Sequence, residues 1–386
     1  MERERISSFL KKYTMVIVLV IVTMFFTWRT GGRMLLPQNV TNLISQNAYV
    51  FILATGMLLC ILTGGNIDLS VGSVVCFTGA IGATFMVNYK INIVASILIM
   101  LATGLLVGIW QGFWIAYRRI PPFIVTLAGM LMFRGLSNIV LQGYTIAPLP
   151  EGYLALFNNY IIDFFHGSNI NITCILFGVI MTAVYIFATF RGRKSKIKKG
   201  YTVSALSSDI IKCIIIGGVI LVFSWRLAQY KGLPNILLWV LIIVLIYAYI
   251  TSKTTIGRHF YAVGGNEKAA ELSGINTNRV YFIAYANMGL LVAVAAMVTI
   301  ARLNSANPTA GDSYEMDAIG SCFIGGASAY GGSGTIPGVI VGATLMGVIN
   351  LGMSIMGVDA NWQKVVKGIV LLAAIIFDVE SKKRTK

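Results

Sequence analysis

The chain has 386 residues, of which 57% are hydrophobic and only 11% are charged. Soluble domains carry about 25% charged residues, so this composition excludes an ordinary soluble protein and indicates a membrane protein. The net charge of +16 does not indicate a nucleic-acid partner, because 20 of the 30 basic residues lie in five short segments between apolar runs. By the positive-inside rule, these segments are expected to face the cytoplasm. They are residues 1–12, 117–122, 191–199, 253–279 and 381–386.

Apolar runs long enough to cross about 30 Å of hydrocarbon recur along the sequence, which predicts an all-α, polytopic membrane protein. The first run follows a basic flank and has no small-residue cleavage site after it, so we expect a retained helix and not a signal peptide. Eight runs precede the polar segment 253–279, at about 13–28, 43–63, 71–88, 92–116, 121–141, 170–190, 209–228 and 234–252.

The second part of the chain is predicted to add a ninth helix, at about 280–301, and three shorter apolar runs at about 317–331, 336–357 and 362–378. Glycine breaks in these last runs permit re-entrant pieces, so the prediction is 10–12 transmembrane helices within a single transmembrane domain, 1–386. Twelve crossings would put both termini in the cytoplasm. Segment 142–169 is rich in aromatic residues and proline, and we expect it to lie on the extracellular membrane interface.

Two glycine-rich interruptions resemble each other. GGNIDLSVGSVVCFTGAIGATFM at 64–86 and GGASAYGGSGTIPGVIVGATLM at 325–346 both begin with Gly-Gly and end in Gly-Ala-Thr-Phe/Leu-Met. Either a duplication or the abundance of glycine and alanine explains the match. Paired glycine-interrupted segments in two halves indicate a transporter pathway. The candidate hinge or pathway residues are Gly64, Gly65, Asn66, Asp68, Ser70, Gly72, Gly325, Gly326, Gly331 and Gly332.

Two ionisable residues lie within apolar surroundings. Asp68 must face water, a partner or the protein interior. Its position predicts that it caps a helix that starts near Leu69. The alternatives are that Asp68 contacts a translocated solute, or that it forms a proton or sodium site. Arg134, in the fifth run, is expected either to extend to the outer interface or to pair internally.

Residues 264–275 contain NEKAAELSG, which predicts a short helix with Asn266 as its cap, Glu267 in its first turn and Gly274 at its end. About seven residues are too few for a helix that is stable alone in water, so this segment needs tertiary support or a partner. It is suited to docking in a groove of another protein. A solvated loop is the alternative.

Motifs of catalysis and of metal or nucleotide binding are missing. The sequence has no GxxxxGK[ST] phosphate loop, no HExxH and no Ser-His-Asp set. The five cysteines have no metal or disulfide spacing and are expected to be packing residues. We therefore expect a non-catalytic chain that binds no cofactor or metal. Sparse charge within the apolar runs argues against an ion-coupled secondary transporter that works alone.

Four stretches together resemble the membrane permeases of bacterial ABC importers for monosaccharides, of the ribose, xylose and galactose type. The hairpin of the seventh and eighth runs and the long segment 142–169 are similar to the xylose or multiple-monosaccharide branch, because the smaller ribose permeases lack that hairpin. The turn before Ile-Asp-Leu-Ser is longer here than the family pattern, through Gly65 and Asn66. The four stretches are GGNIDLSVGS (64–73), IPPFIVTLAGMLMFRGL (120–136), GRHFYAVGGNEKAAELSGI (257–275) and residues 318–379.

The resemblance implies a permease dimer, homodimeric in most such systems, in the bacterial inner membrane. Cytoplasmic ATPase subunits that hold ATP and Mg²⁺ would grip a coupling helix at 264–275, and an extracytoplasmic binding protein would deliver the sugar. The implied coupling residues are Gly264, Gly265, Asn266, Glu267, Ala269, Ala270, Ser273 and Gly274. The candidate docking residues for the binding protein are Arg302, Asp312, Glu315 and Asp317, with ordinary solvated loop charges as the alternative.

The resulting expectation is inward transport of a neutral monosaccharide by alternating access, driven by ATP hydrolysis in the partner. The alternatives are an ion-coupled secondary transporter, or a related permease for branched-chain amino acids, nucleosides or an autoinducer.

Overall fold

The computed structural model describes residues 2–167, 170–203 and 205–383, and these are largely α-helical. Over those ranges, extended pairing is confined to two isolated bridges, Ile146 with Ala306 and Tyr160 with Pro234. The helices are α1 Glu2–Arg29, α2 Pro37–Leu62, α3 Val71–Ala83, α4 Ile93–Ala116, α5 Pro122–Leu141, α6 Glu151–Phe157, α7 Ile172–Lys198, α8 Leu206–Ala228, α9 Asn235–Lys253, α10 Thr255–Gly265, α11 Glu267–Leu272, α12 Thr277–Leu303, α13 Tyr314–Ile324, α14 Ile336–Ile355 and α15 Ala360–Lys383.

Within the described residues, nine helices are long and apolar enough to cross a membrane. They are α2, α3 with its π-helical continuation to Asn88, α4, α5, α7, α8, α9, α12 and α14. The apolar part of α1 is shorter, Thr14–Arg29, and α15 has lysines in its first turns. The prediction of an all-α polytopic membrane protein is therefore confirmed.

The predicted crossing at 317–331 is wrong, because α13 has only 11 residues. At 1.5 Å per residue it is about 16 Å long, half of the hydrocarbon thickness. Its first turn contacts Tyr49, whose ring stacks on Tyr314 at 3.5 Å. Tyr49 is at the middle of α2, so α13 begins near the mid-plane and is one of the glycine-broken pieces that the sequence permits.

The core is built around α2 and α12. In the 18-residue apolar stretch of each helix, 83% of the residues are buried in α2 and 72% in α12, whereas only 11% are buried in α7 and in α8. Helix α12 lies directly on α4: a Cβ at Gly289 would overlap the carbonyl oxygen of Gly104, and one at Gly108 would lie 2.5 Å from Tyr285 O. Small residues thus let these two backbones touch, as is common where lipid supplies no hydrophobic drive for packing. The hairpin α7–α8 faces outward.

The basic segments 117–122, 191–199 and 253–279 lie at one end of the bundle, which we call the basic end. Arg119 after α4 contacts Glu267 of α11 at 2.6 Å, the amide of Gly332 donates to Leu62 O at 3.1 Å, and Asp378 of α15 accepts from Ala329 N at 3.1 Å. The basic end includes residues 63–70, 117–121, 199–203, 254–276 and 325–335, and the opposite end includes 30–36, 89–92, 142–167, 229–234, 304–313 and 356–359.

The segment after α5 covers the opposite end. The hydroxyl of Tyr153 in α6 donates to Met297 O of α12 at 2.9 Å, and the indole of Trp239 in α9 donates to Leu156 O at 3.1 Å. The predicted interfacial segment 142–169 is thus attached to two membrane helices; its residues 168 and 169 lie outside the described ranges.

Candidate functional site

The two glycine-rich interruptions contact each other at the basic end. Gly65 and Gly331 have φ angles of +77° and +82°, a conformation that glycine adopts without steric cost. A Cβ at Gly65 would overlap Ala329 O, and one at Gly331 would lie 2.5 Å from Gly64 Cα. The two turns therefore pack backbone against backbone, with no room for side chains between them.

Helix α10 is part of the same contact. A Cβ at Gly264 would overlap the carbonyl oxygen of Leu62 and lie 2.5 Å from the amide nitrogen of Gly332. The neighbouring Gly265 faces open space. The hydroxyl of Tyr261 donates to Gly334 O at 2.8 Å. Three segments that are far apart in sequence meet in a glycine junction, formed by Gly64, Gly65, Gly264, Gly331 and Gly332.

The remaining glycines of the predicted hinge set lie outside this junction. A Cβ at Gly325 would lie 2.5 Å from Gly338 O, so this residue packs the end of α13 against the start of α14. Gly326, with φ of +86°, has open space around it, and a Cβ at Gly72 would overlap Gly311 O. The structure thus brings together four of the seven predicted hinge glycines.

Helix α11 forms as the sequence predicts, with Asn266 as its cap accepting from Ala269 N–H at 3.0 Å. Glu267 points into the protein: it accepts from Arg119 at 2.6 Å and from the Tyr281 hydroxyl at 3.0 Å. Partial burial acts to raise the pKa of Glu267, but the hydrogen bonds from Arg119 and Tyr281 outweigh it and hold the pKa below its usual value. Glu267 therefore fixes α11 to its own chain.

The outward face of α11 carries a residue that the sequence analysis missed. Leu272 is 90% exposed, whereas the predicted coupling residue Ala270 is 4% exposed and faces inward. At 100° per residue, position 272 lies on the side opposite to 270. Leu272 is therefore the apolar side chain that this face of α11 offers to a contact from outside. Helical spacing alone could have found it, once Ala270 was assigned to the buried face.

Asp68 is buried and does not cap α3. Its Oδ1 accepts from the amide of Ser70 at 2.9 Å and from the hydroxyl of Ser70 at 2.6 Å. The helix starts at Val71 with Ser70 at the N-cap position, two residues later than the predicted start near Leu69, so the carboxylate does not reach the first helical amides. The predicted cap is therefore corrected to a local turn.

That turn is tied to a neighbouring helix. Gln111 of α4 donates to the Ser70 hydroxyl oxygen at 2.6 Å, which extends the hydrogen-bond chain from Asp68 into α4. On the other side of the turn, the side-chain amide of Asn66 donates to the backbone carbonyl oxygen of Thr63 at 3.3 Å. The polar residues of GGNIDLSVGS thus pair with each other and with adjacent helices.

The four residues predicted to dock a binding protein do not form one surface, because Asp317 is fully buried. Its Oδ2 accepts from Lys367 of α15 at 2.9 Å and from the Tyr49 hydroxyl at 2.6 Å, and its Oδ1 has no hydrogen-bond partner among the described residues. Since Tyr49 is at the middle of α2, this is an ion pair inside the membrane. A soluble partner cannot reach Asp317.

The other three residues of that set have different surroundings. Asp312 is exposed and pairs with Lys364 at 2.7 Å; this hydrogen bond lowers the pKa of Asp312 below its usual value. Glu315 and Arg302 are half-buried, and the guanidinium of Arg302 lies 3.5 Å from Gln46 O. Of the set, Asp312 is the residue that a partner at the opposite end could contact.

Arg134 pairs internally. Its Nη1 donates to Pro308 O at 3.0 Å and to Ala310 O at 2.8 Å. Both acceptors belong to the loop between α12 and α13, so the arginine pairs with the backbone that leads into the half-helix α13. Of the two roles predicted from the sequence, internal pairing is the one seen.

Across the described ranges, no group of three or more His, Cys, Asp or Glu side chains is arranged to hold a metal ion. The five cysteines are buried and unpaired with one another.

Comparison with known proteins gives full-length matches. A family model described as the permease component of the branched-chain amino acid transport system matches residues 39–149 and 149–375. The xylose transport system permease protein XylH of Haemophilus influenzae is 36% identical over 375 residues, which is 97% of this chain and 98% of that protein. XylH of Escherichia coli K12 is 36% identical over 376 residues, 97% of this chain and 93% of that protein.

A ribose permease is also similar. The ribose import permease protein RbsC of Escherichia coli K12 is 33% identical over 343 residues, 88% of this chain and 85% of that protein. No solved structure matches the chain.

The glycine junction predicts a difference between two adjacent glycines. Gly264→Ala should lower the free energy of unfolding by about 1–3 kcal/mol, because the added methyl group meets backbone that cannot move without separating α10 from α2. Gly265→Ala is the matched control and should leave stability unchanged, since its Cβ meets nothing within 4 Å. Thermal unfolding in detergent measures both. Equal melting temperatures for the two variants would contradict the junction.

The membrane-embedded ion pair predicts a strong effect at one lysine of α15 and a weak one at another. Lys367→Met leaves Asp317 buried without its cation, which costs about 3–5 kcal/mol. Lys364→Met breaks an exposed pair and should cost about 1 kcal/mol or less. Adding Asp317→Asn to Lys367→Met should restore part of the lost free energy of unfolding, because the buried group is then neutral. Similar melting temperatures for the two single variants would argue against a buried pair.

Proposed function

The chain belongs to the permease family of bacterial ABC importers, and we propose that it is the membrane subunit through which a neutral monosaccharide enters the cell. The observation that carries this proposal is the similarity to a xylose permease over 97% of this chain and 98% of that protein. The similarity covers both glycine-rich interruptions, α10–α11, and the seventh and eighth apolar runs, which form α8 and α9, because it extends almost from end to end.

We propose xylose, or an aldose of similar size, as the sugar. The two xylose permeases are 36% identical to this chain and the ribose permease is 33% identical. Ribose is therefore the sugar to compare with xylose in any assay.

Helices α10 and α11 are the proposed contact with a partner ATPase, which would hold ATP and Mg²⁺. Two features support this role. The outward face of α11 presents Leu272, and the two helices are fixed to the bundle through Glu267 of α11 and Gly264 of α10. A helix with these contacts can accept a groove on one side and transmit displacement to α2 on the other. The coupling surface is thus better described by Lys268, Glu271 and Leu272 than by the predicted Ala270.

We propose that the basic end is cytoplasmic and that both termini lie on that side of the inner membrane. The clustering of basic segments at this end supports the assignment through the positive-inside rule. The opposite end then faces an extracytoplasmic sugar-binding protein, with exposed Asp312 and Lys364 available for contact. A second copy of the chain is proposed to complete the pathway.

In the proposed mechanism, ATP binding in the partner displaces α11, and the glycine junction passes this displacement to α2 and to the turn before α14. The sugar has to interact differently with the outward-facing and inward-facing states, since otherwise its binding would not be linked to the motion.

Reconstitution tests the proposed function. The permease in liposomes with its ATPase and its sugar-binding protein should take up radiolabelled xylose only when ATP is present on the basic-end side. Omitting the ATPase should abolish uptake. Uptake without the ATPase, driven by a proton or sodium gradient, would overturn the importer proposal in favour of a secondary transporter.

The exposed leucine of α11 predicts a docking defect. Leu272→Asp should weaken co-purification of the ATPase by tenfold or more, because truncating an anchor of an interface costs about 2 kcal/mol or more. Leu272→Met should restore binding, since it keeps the apolar volume. Co-purification and ATP hydrolysis are the readouts, and wild-type melting temperatures for both variants show that the fold is kept. Full ATPase binding by Leu272→Asp would exclude Leu272 as an anchor.

A further inference from the structure

The basic end of the α7–α8 hairpin contains a groove that the transport proposal does not use. Helix α7 has 27 residues and is about 40 Å long, so it extends about 10 Å beyond a hydrocarbon core of about 30 Å. Its apolar part ends at Phe190, and the last two turns carry Arg191, Arg193, Lys194, Lys196 and Lys198. This charged end therefore lies at the level of the lipid headgroups.

Two helices line the groove. Thr189, Gly192, Arg193 and Lys196 are on one face of α7, at the i, i+3, i+4 and i+7 spacing of neighbours on a helix. Asp209 and Lys212 face them from α8, and Thr202 and Val203 close the side between the helices. The cavity has a volume of about 500 Å³, which falls within the range of small-ligand sites.

An ion pair sets the shape of the groove. Arg193 contacts Asp209 at 2.6 Å, and both side chains are largely buried, 17% and 13% exposed. Lys212 contacts the other carboxylate oxygen of Asp209 at 3.5 Å. The pair joins the end of α7 to the first turn of α8 and so fixes the distance between the two walls.

The groove carries excess positive charge. Its ionisable lining is Arg193, Lys196 and Lys212 against Asp209, which leaves two net positive charges. Lys196 has no carboxylate partner among the residues that the structure describes. A preformed cavity with a net charge of +2 and the hydroxyl of Thr202 suits a phosphodiester, which is anionic and accepts several hydrogen bonds.

The position of the groove identifies the source of that phosphodiester. Helices α7 and α8 are the least buried spanning helices, with 11% of each window buried. Ile216 lies one turn deeper than Lys212 on the same face of α8 and is 39% exposed, so an acyl chain can lie along the hairpin while the phosphate enters the groove. Basic pockets between membrane helices at the cytoplasmic side suit anionic lipid headgroups.

We propose that the groove between α7 and α8 at the basic end binds the phosphate headgroup of an anionic phospholipid. The lipid bridges the two helix ends through Lys196 and Lys212, whereas Arg193 and Asp209 position the walls. Such a lipid anchors a hairpin that the rest of the bundle holds only along one side. The site does not depend on which solute the permease carries.

Native mass spectrometry of the full-length protein tests the proposal with dioleoyl phosphatidylglycerol and dioleoyl phosphatidylcholine as probes. The wild-type protein should retain phosphatidylglycerol about tenfold better than phosphatidylcholine. Lys196→Gln with Lys212→Gln removes both excess charges and should reduce this preference to about twofold or less, because the variant loses the two charge-assisted contacts to the phosphate.

The matched control is Lys194→Gln with Lys198→Gln, which removes the same charge from the same helix end outside the groove. It should keep the preference for phosphatidylglycerol. An equal loss in both double variants would overturn the proposal in favour of diffuse attraction to the surface, and so would a wild-type protein with no preference. Displacement of phosphatidylglycerol by millimolar inorganic phosphate would show an ion site and not a lipid site.

Discussion

A helix that ends inside a membrane protein leaves backbone carbonyl groups without intrahelical partners, and the surrounding chain has to supply them. In this protein α2 and α13 both end in glycine turns, and the two turns pack against each other. Leu62 O at the end of α2 accepts from the amide of Gly332 in the second turn, and α15 supports that second turn, because Asp378 accepts from the amide of Ala329. Only glycine allows backbones to approach this closely, which explains the residue type at the junction.

The same constraint governs the other end of α13, which begins near the middle of the membrane. The loop that leads into it would leave carbonyl groups unpaired, and Arg134 donates to two of them. Asp317 in the first turn of α13 is paired with Lys367 and Tyr49. Arg134 and Asp317 therefore both act where α13 interrupts the spanning pattern: Arg134 of α5 pairs with the loop carbonyls, and the partners of Asp317 come from α2 and α15.

Hydropathy predicted the long spanning helices, because the transfer of a continuous apolar segment depends on that segment alone. The glycine turns and the Asn266 cap of α11 could also be predicted, because both depend only on residues that are close in sequence. The burial of Asp317 could not be predicted in this way, because its partner Lys367 lies 50 residues further along and Tyr49 lies 268 residues earlier. The cap predicted at Asp68 was wrong for a more local reason. Helix α3 starts two residues later than predicted, so Asp68 accepts from Ser70 in the turn before the helix and does not cap it.

Helix α11 has an inner face that contacts its own chain through Glu267 and an outer face that exposes Leu272. A displacement applied to the outer face is therefore transmitted to the bundle through the inner face. The ion pair with Arg119 ties one side to the segment between α4 and α5, and Gly264 presses α10 against the end of α2. Helix α2 is the most buried of the spanning helices, with 83% of its window buried, so it cannot shift without its neighbours. In the proposed importer, a push on Leu272 therefore reaches the core of the bundle through backbone contacts, which are stiffer than contacts between flexible side chains.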